Sequence, residues 1–175
     1  MYILLPLLLL FQLPPMIIFD FTPDADLTNW RTVDDTVMGG VSEGSFGLSE
    51  DGHGLYTGHV SLDNNGGFSS LRYRMPGTRI DGFTKAVIRL KGDGRAYQFR
   101  TKTNEDHRHS YVYNFQTSGE WEEVEIELRA MKPQWRGRRL DREDYPAEVL
   151  SEVAILIGNK QEEDFRLELD WIRLE

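Results

Sequence analysis

The sequence predicts an all-β protein, an antiparallel sandwich or jelly roll, and three observations support that prediction. Apolar and polar residues alternate with period two in one segment after another from Ile17 to Leu174, as strands with one buried face do. Sixteen glycines and seven prolines punctuate these segments, in "SEGSFG", "SEDGHG", "DNNGG", "RMPG", "KGDGR" and "TSGE", where hairpin turns need them. Helical periodicity is nearly absent, which leaves many short strands with turns between them.

The first fifteen residues, "MYILLPLLLLFQLPP", carry no charged side chain. Their leucine run is like a signal-peptide core, but no Lys or Arg precedes it and no pair of small residues marks a cleavage site before Phe19. Pro6, Pro14 and Pro15 leave too short a stretch for a spanning helix, which needs about 20 apolar residues. Three readings stand: an exported or lipid-anchored form, an extension upstream of a start at Met16 in a cytoplasmic protein, or a structural N-terminal strand. Residues 16–175 are expected to form one domain, since no linker or low-complexity tract divides them and the chain is 39% hydrophobic, enough for a core.

"MIIFDF" opens the domain as a strand, and "TPDADLTNW" is a candidate helical turn. Next comes "VDDTVMGGVSEG", Val33 to Gly44, part of which returns as "SLDNNGGFSSL", Ser61 to Leu71. Asp34 and Asp35 are neighbours at a strand end, so their side chains should diverge to opposite faces. Two-carboxylate hydrolysis needs both groups on one bond, about 5 Å or roughly 6.5 to 9.5 Å apart, and this pair suits it poorly. The expectation is that the acids cap a turn, with Gly39 and Gly40 allowing positive φ or a close approach. In "DNNGG" Asp63, Asn64 and Asn65 offer hard oxygens, but the twelfth EF-hand position falls on Arg74, so an Asn-Gly turn is expected. No cofactor is expected, with only a structural calcium of scattered ligands left open.

"TKAVIRLKG" sets Ala86, Ile88 and Leu90 against Lys85 and Arg89. "KGDGRAY" has Gly92 and Gly94 but neither a third glycine nor a following helix, and no phosphate-binding loop occurs elsewhere. "HRHS" puts His107 and His109 on one face of an extended segment, one ligand or more short of a zinc site. "SYVYNFQT" places Tyr111, Tyr113 and Phe115 together, as core or as a sugar-stacking platform. "WEEVEIEL" turns Val124, Ile126 and Leu128 inward and Glu123, Glu125 and Glu127 outward. "KPQWRGRRLDR" gathers Lys132, Arg136, Arg138, Arg139 and Arg142 around Trp135, a composition found at interface hot spots. "DYPAEVLSE" is the best helical candidate, "VAILIG" a strand buried on both faces, and "FRLELDW" a strand with Phe165, Leu167, Leu169 and Trp171 on its inner face.

Charge and composition exclude several classes. With 20 Lys+Arg against 29 Asp+Glu the net charge is −9, which disfavours nucleic acid as a partner. The absence of cysteine rules out thiol nucleophiles, disulfides and cysteine-bound zinc or iron–sulfur clusters. GxSxG is missing and nothing else singles out a nucleophilic serine. The residues thus point to a noncatalytic binding domain.

The ordered set "FDF", "VDDTVMGGVSEG", "TGHVSLDNNGGFSSLR", "LKGDGRAYQFR", "KPQWRGRRL", "LIGN" and "FRLELDWI" resembles the complex I intermediate-associated protein family from about Ile17 to the C-terminus. The resemblance implies a galactose-binding-like jelly roll and a role as assembly factor or chaperone, with protein partners among respiratory-complex subunits. It places recurrent residues at Trp30, Asp34, Asp35, Met38, Gly39, Gly40 and Ser42, at Asn64, Asn65, Gly66, Gly67, Phe68 and Ser69, at Asp93, at Arg136 and Arg138, and at Asp170. Together with Trp135 these are the candidate binding residues. None brings a catalytic role. In "NKQEEDF" this chain has acids where the family often has Gly and Pro. The alternative reading is a carbohydrate-binding module of jelly-roll type.

Overall fold

In a computed structural model, which describes residues 13–175, the alternating segments pair into two antiparallel sheets packed face to face. Most of the segment expected to be a leader, residues 1–12, lies outside the described residues. Thirteen strands are present: β1 Met16–Asp20, β2 Trp30–Asp34, β3 Glu43–Leu48, β4 Gly54–Val60, β5 Ser69–Arg79, β6 Lys85–Lys91, β7 Ala96–Lys102, β8 Ser110–Gln116, β9 Trp121–Glu127, β10 Lys132–Trp135, β11 Arg138–Arg139, β12 Val149–Ile157 and β13 Glu163–Leu174. The only helical segments among the described residues are 3₁₀ turns, at Asp35–Met38, Asp63–Asn65 and Leu128–Ala130. Among the described residues no helix is long and apolar enough to cross a membrane.

One sheet runs β3-β4-β13-β6-β9, with β1 also on β13; the other runs β11-β10-β8-β7-β12-β5-β2. The inward rows meet in one core, in which Leu71, Phe99, Ile155 and Tyr97 from the second sheet face Tyr56, Ile88, Leu90, Leu167 and Leu169 from the first. The expected alternation holds in β6 and β9, where Ala86 pairs Ile126 and Ile88 pairs Val124. Central strand β12 is buried from Leu150 to Ile157, including the apolar run from Val153 expected to be covered on both faces.

Three expectations are corrected. "DYPAEVLSE" forms no helix. Its groups are spent on the sandwich, with Tyr145 N–H donating to the Met131 carbonyl at 3.1 Å, Tyr145 Oη to the Val149 carbonyl at 2.8 Å, and Ala147 in left-handed backbone at φ 55°. "TPDADLTNW" is two separate turns, because the Asp26 carboxylate takes the Thr28 amide at 2.9 Å and competes with helical bonding. Trp171 does not share the inner face with Leu169. Between Leu169 and Trp171 the register against β6 slips by one residue, a bulge at Asp170 that turns Ile172 and Leu174 inward and Trp171 outward, where Arg173 lies 4.0 Å over its ring.

Candidate functional site

The paired acids join three distant segments. Strand β2 ends at Asp34, and the chain tightens into the 3₁₀ turn that starts at Asp35, so the two carboxylates diverge. Asp35 has no exposed surface. Its Oδ1 accepts the Ser42 amide at 2.9 Å, and its Oδ2 accepts the Ser42 hydroxyl and the amides of Gly67 and Phe68, at 2.5 Å and 3.2 Å for the latter two. Burial pushes this carboxyl up, but the bonds from the Ser42 hydroxyl and the three amides outweigh it and hold the group below the usual carboxylate range. Asp34 accepts the Gly44 amide at 3.0 Å and the Ser69 hydroxyl at 2.5 Å, and Tyr56 Oη donates to that hydroxyl oxygen at 2.6 Å. The acids cap turns as expected, but those turns lie seven to thirty-five residues away. Neither carboxylate is free for acid–base work.

Close approach to those carboxylates explains the double glycines. A Cβ on Gly40 would lie 2.2 Å from Asp35 Oδ1, one on Gly66 2.5 Å from Asp35 Oδ2, and one on Gly44 2.2 Å from Ser69 Oγ. Gly39 and Gly67 instead adopt φ of 91° and 130°, which L side chains avoid. Asn64 and Asn65, at φ 55° and 61°, turn the second loop in the left-handed conformation that Asn tolerates. Gly40→Ala should therefore cost about 2–4 kcal/mol in urea unfolding, by displacing a carboxylate that bonds four donors. At Gly47, where an added Cβ meets nothing within 4 Å, the same change should stay within about 0.5 kcal/mol.

The clasped loops rim a groove of about 480 Å³ on the outer face of the β12 sheet. Met38, Gly67 and Phe68 line one side; Trp135, Arg136 and Gly137, from the β10–β11 hairpin, line another. Residues widely separated in the sequence are thus brought together. Register builds the floor. Arg31, Arg72, Ala154, Arg100 and Val112 form one outward cross-strand row, and Arg74, Glu152 and Lys102 form the next. Burial pushes Arg100 down to about 10, helped by the like charge of Arg72. Burial also lowers Arg72 and Lys102, against the upward pull of Glu152. Lys102 Nζ donates to the carbonyls of Glu105 and His107 at 3.1 and 2.7 Å.

Other candidates lie apart from the groove. Trp30 is a core residue, within 5.5 Å of the ring centroids of Phe19, Phe21, Phe46 and Tyr73. Asp93 accepts the Arg95 amide and Tyr97 Oη, each at 3.1 Å, and the β13 amide of Arg166 at 2.9 Å, so it ties the β6–β7 turn to β13. Asp170 pairs with Arg89 at 2.7 Å on the other sheet, beside His53 and Trp121. Arg138 is exposed on β11 and does not line the groove. Tyr111 packs on Tyr145 at 4.9 Å, and His107 stacks on His109 at 5.2 Å. Among the described residues no three His, Asp or Glu converge as metal ligands. Arg72, Gln98, Arg100, Lys102, Arg108 and Lys160 are groove residues that the sequence reading passed over. Their one signal was alternation, with Gln98, Arg100 and Lys102 opposite Tyr97, Phe99 and Thr101.

Against known proteins, the family model Complex I intermediate-associated protein 30 (CIA30) matches residues 19–169. Solved structures that resemble this chain include a family 11 carbohydrate-binding module of the cellulosomal cellulase Lic26A-Cel5E of Clostridium thermocellum, with 15% identity, a TM-score of 0.68 and coverage of 92% of this chain and 94% of that one. A family 11 module from the same organism in complex with a β-1,3-1,4-mixed-linked tetrasaccharide has 16% identity and a TM-score of 0.65, covering 91% and 94%. The agarase AgWH50C has 12% identity and a TM-score of 0.61, over 92% of this chain and 24% of that one. At these identities the likeness is one of fold, a jelly-roll sandwich.

Proposed function

The chain belongs to the complex I intermediate-associated protein 30 family, and from that membership we propose that it is a noncatalytic protein-binding domain acting as an assembly factor or chaperone for respiratory-complex subunits. One observation carries the reading. The loops that hold the family-like motif and the Trp135–Arg136 hairpin open onto one groove, while both motif carboxylates are consumed in holding those loops. The motif is then architecture that presents a docking surface. Arg136 lies 5.1 Å over the Trp135 ring, an exposed aromatic–guanidinium pair of residue types that are enriched among interface hot spots.

The test is affinity capture by the tagged full chain from its own cell extract, with mass spectrometry of what is retained and an Arg136→Ala/Arg138→Ala variant as control. Respiratory subunits retained by the parent and reduced by roughly tenfold in the variant are expected, as truncating an interface arginine costs upwards of about 1 kcal/mol. A second reading, a carbohydrate-binding module, draws on the fold likeness to such modules. It would have to use Phe68 and Trp135, since Tyr111 is packed on Tyr145 and Trp121 on His53. Glycans retained in place of protein, with binding lost on Trp135→Ala, would favour it.

A further inference from the structure

The groove has a charge that the rest of the chain does not. Of its lining residues among those described, six, Arg72, Arg100, Lys102, Arg108, Arg136 and Lys160, are cationic and none is acidic, in a protein of net charge −9. Internal neutralisation is partial. Glu152, itself 2% exposed, reaches Arg72 at 3.9 Å and Arg74 at 3.4 Å. Among the described residues Arg100 bonds only to Gln98 Oε1, at 2.6 and 3.0 Å, and across Ala154 it faces the like charge of Arg72. Gathering half-buried cations in one row works against folding, and it is compensated when an anion completes the site. Two rim cations add backbone strain, with Arg136 at φ 48° and Lys160 at φ 58°, a conformation that non-glycine residues adopt at a cost and that clusters at binding sites.

A second property narrows the class of anion. Val37, Met38, Val41 and Leu62 are 45–70% exposed on the two loops that Asp35 joins, and Met38 continues this aliphatic rim into the groove. Aliphatic side chains gain little against sugar hydroxyls or phosphates but bury well against apolar side chains. Trp135, which lines the groove, has the Arg136 guanidinium over its ring, so one face of that ring is taken and less of it is offered to a sugar or base. We propose that the groove binds an extended acidic segment of a partner protein, its carboxylates on Arg72, Arg100 and Lys102 and its apolar side chains on the Met38 rim. This deepens the protein-binding reading and rests on it. Arginine supplies paired donors matched to a carboxylate, and the field of the groove draws an acidic segment toward an otherwise acidic protein.

The full chain is titrated with a fluorescent peptide of about twelve residues alternating Glu and Leu, long enough to cross several strands spaced about 4.8 Å apart. Competitors are its Gln-for-Glu counterpart, a galacturonic acid oligomer and oligothymidylate. Expected are saturable, salt-sensitive binding, a loss of roughly tenfold or more with the Gln peptide, and similar losses in Arg72→Glu/Arg100→Glu and in the rim pair Arg108→Glu/Lys160→Glu. The rim pair is exposed, so its loss cannot be ascribed to a damaged core; circular dichroism and melting check both variants. Absence of peptide binding, indifference to both charge reversals, or displacement of the peptide by the uronate or the oligonucleotide at equal concentration would each overturn the proposal. Run beside the capture experiment, the reversals separate two failures. Subunits still captured in full by both variants would leave the protein-binding reading standing and remove the groove, whereas uronate binding with no protein captured would remove both.

Discussion

Replacing Asp35 with alanine is expected to lower the stability of the fold by about 3–5 kcal/mol, measured by urea unfolding, with an unchanged slope. The carboxylate is buried and accepts from Ser42, Gly67 and Phe68. Alanine leaves those amides without acceptors, the one at Ser42 in a fully buried place, which costs more than the bonds themselves contribute. The same residue sets an acid limit. Its folded-state affinity for protons is lowered, so its contribution is complete above the unfolded value near about 3.9 and is lost as pH falls through that value toward the lower folded one. The parent should therefore lose stability over that acid range, and Asp35→Asn should be weaker at neutral pH yet show a shallower decline. Equal acid profiles would show that Asp35 is not the group responsible.

Trp30→Ala should cost a similar amount, about 3–5 kcal/mol, the range for removing a large aromatic from a packed core. Four aromatic rings from β1, the following loop, β3 and β5 surround this side chain, and alanine opens a cavity they cannot close. Trp30→Phe is the informative partner. The indole N–H is buried without an acceptor among the described residues, so phenylalanine sheds an unpaired donor along with some volume, and the net loss should be within about 1.5 kcal/mol. Capture of partners by the Phe variant at the parent level would confine Trp30 to the core. A variant that folds normally and captures nothing would return it to the binding surface.

Some of this was legible in the residues alone. Period-two alternation identified β6, β9 and most of β13, because one buried face demands it. It failed at Asp170, where an extra residue enters β13 opposite Leu90 and Arg89 and no Gly or Pro announces the bulge. The acids at 34 and 35 were read as caps, yet nothing local shows that their donors lie at Ser42, Gly44 and Gly67, since that depends on two loops meeting. The groove was the least visible part. Arg31, Arg72 and Arg100 look like solvated positions on three separate strands until the order β2-β5-β12-β7 sets them in one row. The Trp135 and Arg136 side was evident because it is contiguous in sequence, and Met38, Gly67 and Phe68 were named only through the family resemblance.

The clasp at Asp35 also governs motion. Ser42, Gly67 and Phe68 donate their amide protons to two oxygens of a single carboxylate, so these protons do not open to solvent one at a time. Rotation of that side chain is expected to release both loops together, and its return to order both. The two loops on that side of the groove are thereby expected to act as one cooperative unit, with hydrogen exchange at the three amides following a common opening rate.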